Sequence, residues 1–213
     1  MAGNDITFNL TFDDVFRDRA KYIQRRIDIV HNSGVKQYAT IDNFIDAQNN
    51  GITAEDYIPN NINVKFDKGS GTNFEDALED IKLKQTQRQW MWYILPSNID
   101  STTATATFFK LGPETTYQTT ITEYLNDDTL RNNYITMINA IYDKIKDSSY
   151  KAHSLEYIIH IGNENKRLKS SITNFITPLL NKLNTLKLEP PNIRNNIQEL
   201  YKIVNNKEYK APT

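Results

Sequence analysis

Apolar residues recur along most of this chain at the spacing of helices and show no alternating strand pattern. The run DTLRNNYITMINAIYDKIKDS sets Leu130, Tyr134, Met137, Ile138, Ile141 and Ile145 on one face, the strongest helical stripe in the sequence. NFEDALEDIKLKQ repeats the pattern with Phe74, Ala77, Leu78 and Ile81. From Thr11, TFDDVFRDRAKYIQRRIDIVHNSG aligns Phe12, Val15, Phe16, Ile23, Ile27 and Val30. Thr11 serves there as N-cap, acids fill the first turn and Gly34 closes the end. TIDNFIDAQNNG predicts a short helix running from a Thr40 cap to Gly51. TTITEYLND and SLEYIIHIG predict two more short ones. LKSSITNFITPLLNKL carries Leu168, Ile172, Phe175, Ile176 and Leu179, with a kink expected at Pro178. PPNIRNNIQELYKIV is expected to begin with its two prolines in the first turn.

Three stretches escape the period. Residues 52–72 hold Pro59, Gly69 and Gly71 among polar neighbours and read as a long loop. STTATATFFKLGPETTYQ is Thr-rich and reads as loop with a short extended piece. QRQWMWYILPSN follows neither period, although it holds both tryptophans of the chain. With no internal repeat, the fold class is mainly α: a single compact multi-helix domain of seven or eight helices, with residues 1–39 as an N-terminal helical extension.

Composition narrows the function classes. The 213 residues are 38% hydrophobic, with nine Phe and twelve Tyr, enough for a sizeable core. A net charge of −1 and a pI near 6.3 argue against a general nucleic-acid binder. With no cysteine, disulfides, thiolate metal sites and cysteine nucleophiles are excluded. No apolar run approaches the roughly 18 residues of a membrane span, and the first residues, MAGNDITFNL, hold no signal-peptide core. The expected location is cytoplasmic. Abundant Ile, Lys and Thr beside 25 Asn have AT-rich codons and point to an AT-rich genome, as in some large DNA viruses.

Searches for catalytic motifs fail. Neither GxGxxG nor GxxxxGK[ST] occurs, nor a GxSxG elbow. His31, His153 and His160 lack metal-ligand spacing, so no metal and no cofactor are implied. Asp13-Asp14, Glu75-Asp76 and Asp127-Asp128 stand at helix starts, where carboxylates favour the positive end of the dipole.

Three segments remain: NFIDAQ at 43–48, RQWMWYILP at 88–96 and NKRLKSSITNF at 165–175. Trp90, Trp92 and Tyr93 offer faces on which a base stacks at about 1–3 kcal/mol each, or they fill the core. Arg88 can fork onto phosphate. Lys166, Arg167 and Lys169, with Ser170, Ser171 and Thr173, join cations and hydroxyls around an expected helix start, an arrangement that attracts anions. The same hydroxyls can instead bond back to their own helix, and the cations can form a solvated face. Gln48 and Gln89 are placed to read a base or ribose edge.

These segments also carry a resemblance. Phe44, Asp46, Ala47 and Gln48, then Ala77-Leu78-Glu79, then Trp90-Met91-Trp92 with Pro96, then Glu123-Tyr124-Leu125, then Leu168, Ser170-Ser171, Thr173 and Phe175 stand in the order of the domain of unknown function 1810 family. The chain resembles that family over residues 41–176. The resemblance implies an all-helical domain over residues 40–213, with an insertion near 49–73, and no established activity. The family pattern has His where Gln89 stands, an acid and then Lys where Asn165 and Arg167 stand, and Gln where Ser97 stands. Loss of those titratable groups suits a binder better than a catalyst.

The expected function is therefore binding, or sequestration, of a small phosphorylated nucleotide-type ligand derived from NAD or ADP-ribose, between the WMWY segment and the KSSIT helix. A nucleotide or glycosidic hydrolase using Glu79, Glu123 or Glu156 is one rival. A protein-interaction module whose aromatic segment is buried or lies on a flat patch is the other. The ligand-binding set is Gln48, Arg88, Gln89, Trp90, Trp92, Tyr93, Arg167, Lys169, Ser170, Ser171 and Thr173.

Overall fold

The computed structural model describes residues 38–51, 72–82, 90–99, 108–113, 115–150, 153–159, 164–190, 192–206 and 209. The helix expected from Thr11, the body of the 52–72 loop, Arg88, Gln89, His31 and His160 lie outside them. Among the described residues the chain is all-helical, with eight α-helices and one 3₁₀ turn and no strand.

In chain order these are α1 (Ile41–Asn50), α2 (Phe74–Lys82), α3 (Met91–Ile94), α4 (Tyr117–Asn126), α5 (Asp128–Lys146), the 3₁₀ turn (Ser148–Tyr150), α6 (Leu155–Ile159), α7 (Glu164–Leu186) and α8 (Ile193–Asn205). The α5 helix is the hub and packs against α1, α2, α3, α4, α6 and α8. The α7 helix lies against α3, α4, α6 and α8. The stripes read in α5 and α7 face inward: Leu130, Tyr134, Met137, Ile138, Ile141 and Ile145 of α5 are fully buried, as are Leu168, Ile172, Phe175 and Leu179 of α7, with Ile176 partly buried. No helix among the described residues is long and apolar enough to cross a membrane.

Local chemistry sets the ends. Thr40 caps α1 in a reciprocal box with Asn43: its hydroxyl accepts from the Asn43 backbone N–H, and the Asn43 side-chain Oδ1 accepts from Thr40 N at 3.0 Å. The Asp127 carboxylate caps α5, accepting from Leu130 N at 2.8 Å. Gly51 ends α1 at φ +70°, and a Cβ there would come within 3.0 Å of the Thr72 and Asn73 backbone. The chain on either side of residues 52–71 is thus brought together at a contact only glycine admits.

The WMW stretch, which follows neither period, closes a single helical turn at residues 91–94. Two expectations change. The α7 helix starts at Glu164, so Lys166 to Ser171 sit inside its first two turns rather than ahead of them, and Pro178 lies within its continuous length. The α8 helix starts at Ile193, after both prolines, with Asn192 in the left-handed region at φ +63°. Asparagine tolerates that region better than most residues, so the reversal into α8 falls to Asn192.

Candidate functional site

The α3 turn is too short to satisfy its own backbone. Four helical residues leave carbonyls at the C-terminal end with no intrahelical donor, and burial denies them water. Side chains from other helices supply the donors. Gln48 Nε2 donates to the Tyr93 carbonyl at 2.7 Å and to Tyr124 Oη at 2.8 Å. Tyr124 Oη in turn donates to the Ile94 carbonyl at 3.1 Å. Asn133 Nδ2 completes the amide by donating to Gln48 Oε1 at 2.9 Å. Tyr93 Oη donates to the Thr72 carbonyl. Helices α1, α3, α4 and α5 are thereby joined through one buried amide.

Aromatic rings enclose this network. Phe44 meets Phe109 and Tyr124 edge-on at 5.3 and 5.5 Å between centroids. Phe175 meets Tyr124 edge-on at 5.4 Å and stacks on Tyr134 at 4.6 Å. Tyr134 Oη and Ser171 Oγ share a hydrogen bond of 3.2 Å. Burial, the largest cause in each case, pushes the Tyr93, Tyr124 and Tyr134 hydroxyls well above the ordinary tyrosine range.

The sequence-predicted residues divide between this interior and the surface. Trp90 and Tyr93 are fully buried and Trp92 is 7% exposed, so their ring faces are core. Gln48 and Ser171 are buried within the network described above. Arg167 is buried as well, at 8% exposure. Lys169 and Thr173 are exposed, and Ser170 lies between the two groups. Ser170 Oγ accepts from Asn98 N at 3.2 Å, which joins the end of the WMWYILPSN segment to α7. Asn174 Nδ2 also donates to Ser170 Oγ, at 3.4 Å.

Two polar atoms of the WMWYILPSN segment remain unsatisfied: Trp90 Nε1 and Asn98 Oδ1 are buried without a hydrogen-bond partner. Natural structures leave few such atoms, and each one calls for an explanation such as a water or a ligand. Asn98, Tyr124 and Asn133 were missed as site residues. Their positions carried a weak signal at most, since an exposed Asn and a network Asn look alike in sequence. Of the carboxylates considered for hydrolysis, Glu79 and Glu123 are exposed. His153 stacks on Tyr157 at 4.0 Å.

A family model described as "Protein of unknown function (DUF1810)" matches residues 60–185. No curated protein and no solved structure matches the chain. The matched span takes in α2 to α7 and leaves α1 and α8 outside it.

Proposed function

The chain belongs to this family of unknown function, and on its residues we propose that it binds a small phosphorylated nucleotide-type ligand where the Trp90–Asn98 segment meets the first turns of α7. The supporting observation is the pair of buried, unpartnered atoms in that segment: one donor on Trp90 and one acceptor on Asn98. Asn98 is hydrogen-bonded to Ser170, next to the exposed cation Lys169. A ligand there is read by its edges and phosphate rather than by stacking, because the tryptophan faces belong to the core. The reading is of a binder, with an NAD- or ADP-ribose-derived molecule as its class of ligand.

The test is native mass spectrometry of gently purified protein, followed by calorimetry with AMP, NAD and ADP-ribose. A co-purified nucleotide mass is expected, with affinity reduced at least about tenfold by Lys169→Ala or Ser170→Ala. Protein that stays bare through the whole panel would sink the reading. Burial of the aromatic segment favours a second one, a protein-interaction module. Its candidate contact residues are Leu186 and Leu188 at the α7–α8 turn and Tyr201 of α8, large apolar side chains left exposed.

A further inference from the structure

The apolar stripe of α5 contains one residue that does not belong to it. Met137, Ile141 and Lys144 follow the i, i+4, i+7 spacing that turns side chains to the core, and Lys144 is 7% exposed. The stripe of α2 has a matching exception in Asp80, 3% exposed. The α2 and α5 helices pack together, and the Asp80 carboxylate acts on the Lys144 ammonium. Burial, the larger effect, still holds the Lys144 pKa below the ordinary lysine value. Lys144 Nζ has no hydrogen-bond partner, and the Tyr150 ring centre lies 5.9 Å away. A buried ammonium with no acceptor is among the most expensive arrangements a fold can hold.

Lys144 also lines a groove of about 530 Å³ between α2, α5 and the 3₁₀ turn. Leu78, Ile81 and Ala140 give it an apolar wall. Asp143 and Asp147, one helical turn apart, add exposed carboxylates on the α5 side, and Lys82 adds an exposed ammonium at the end of α2. A simple anion drawn to Lys144 would meet those carboxylates as well. A molecule carrying both charges would not suffer that conflict.

We infer that this groove is a binding site for a small zwitterion with an aliphatic side chain, an α-amino acid. Its carboxylate accepts the hydrogen bonds Lys144 lacks, its ammonium faces Asp143 and Asp147, and its side chain lies on Leu78, Ile81 and Ala140. Tyr150, whose ring stands over Lys144, turns aside to admit it.

The experiment is calorimetry on the full chain with leucine, 4-methylpentanoate (carboxylate only), 3-methylbutylamine (amine only) and inorganic phosphate, followed by the other amino acids. Leucine or a related aliphatic amino acid is expected to bind at least about tenfold more tightly than either half-molecule. Lys144→Met, which keeps the volume and removes the charge, is expected to abolish that binding while the far-ultraviolet circular dichroism stays that of the folded helical protein. Asp143→Asn with Asp147→Asn is expected to weaken it several-fold. The inference is overturned if no amino acid binds at about 10 mM, if phosphate or 4-methylpentanoate binds more tightly than leucine, or if Lys144→Met binds undiminished.

Discussion

Two buried polar regions among the described residues obey opposite rules. Around α3, every acceptor named in the Gln48 network has a donor and every donor an acceptor, although the partners come from four helices. Between α2 and α5, a lysine of comparable burial holds its ammonium without a hydrogen bond, beside a groove that opens to solvent. A saturated network stabilises and specifies a core, because each group would be costly if left alone. An unsaturated one lowers stability, and the deficit is recovered only when something else binds. The comparison separates structure from function more sharply than the aromatic segment does. That segment drew attention by its composition and turned out to be mostly core.

Breaking the saturated region should have the largest effects. Phe175→Ala removes a ring packed against both Tyr124 and Tyr134 and should destabilise by about 3–5 kcal/mol in chemical denaturation. Gln48→Leu leaves the Tyr93 carbonyl and the Asn133 amide short of partners and should cost about 3 kcal/mol. A sharper form of the test removes both ends of one bond. Tyr134→Phe alone should cost about 1 kcal/mol, and adding Ser171→Ala should cost little more. Strict additivity of that pair would show that the bond is not shared as described.

The unsaturated region predicts the opposite sign. Lys144→Met combined with Asp80→Leu, which replaces both buried charges by apolar chains, should stabilise the protein by about 1 kcal/mol at neutral pH. A loss of stability instead would mean that Lys144 is satisfied, and the contrast between the regions would collapse. The advantage of the variant should depend on pH. The folded-state pKa of Lys144 lies below its ordinary 10.5, so between the two values the unfolded chain binds the extra proton and wild-type stability rises with pH. The gap to that double variant should therefore close as pH approaches 10.5. Both proteins should weaken above pH 10.0, the ordinary tyrosine value, as unfolded tyrosines ionise and the buried ones cannot. Smallest of all, Lys169→Ala should leave stability within about 0.5 kcal/mol, as an exposed residue, whatever it does to nucleotide affinity.

The residues that carry the family resemblance explain why the resemblance was legible and the function was not. Among them Phe44, Gln48, Trp90, Tyr124, Ser171 and Phe175 are buried, and five of these meet in the interior described above, whereas Glu79, Glu123 and Thr173 are exposed. The buried part of the motif marks how the domain folds. The Gln48 position was singled out as a candidate reader of a ligand edge, and its amide was found bonded to three protein groups. Lys144 passed unnoticed, yet its place at i+7 from Met137 in an apolar stripe was visible in the sequence. Reading exceptions to a stripe, as well as the stripe itself, would have found it.

Taken alone, the sequence determined the longer of the described helices, their inward faces and several of their caps. Those depend on residues within about four positions of one another, through the 3.6-residue period and the short reach of a capping side chain. Tertiary structure decided which polar groups are satisfied. Gln48 bonds to residues 45, 76 and 85 positions away, and a helical period says which way an amide points but not what it meets. The same holds for Lys144. Its stripe predicted burial, and only the packing of α2 against α5 showed that the ammonium would be buried beside Asp80 and without an acceptor.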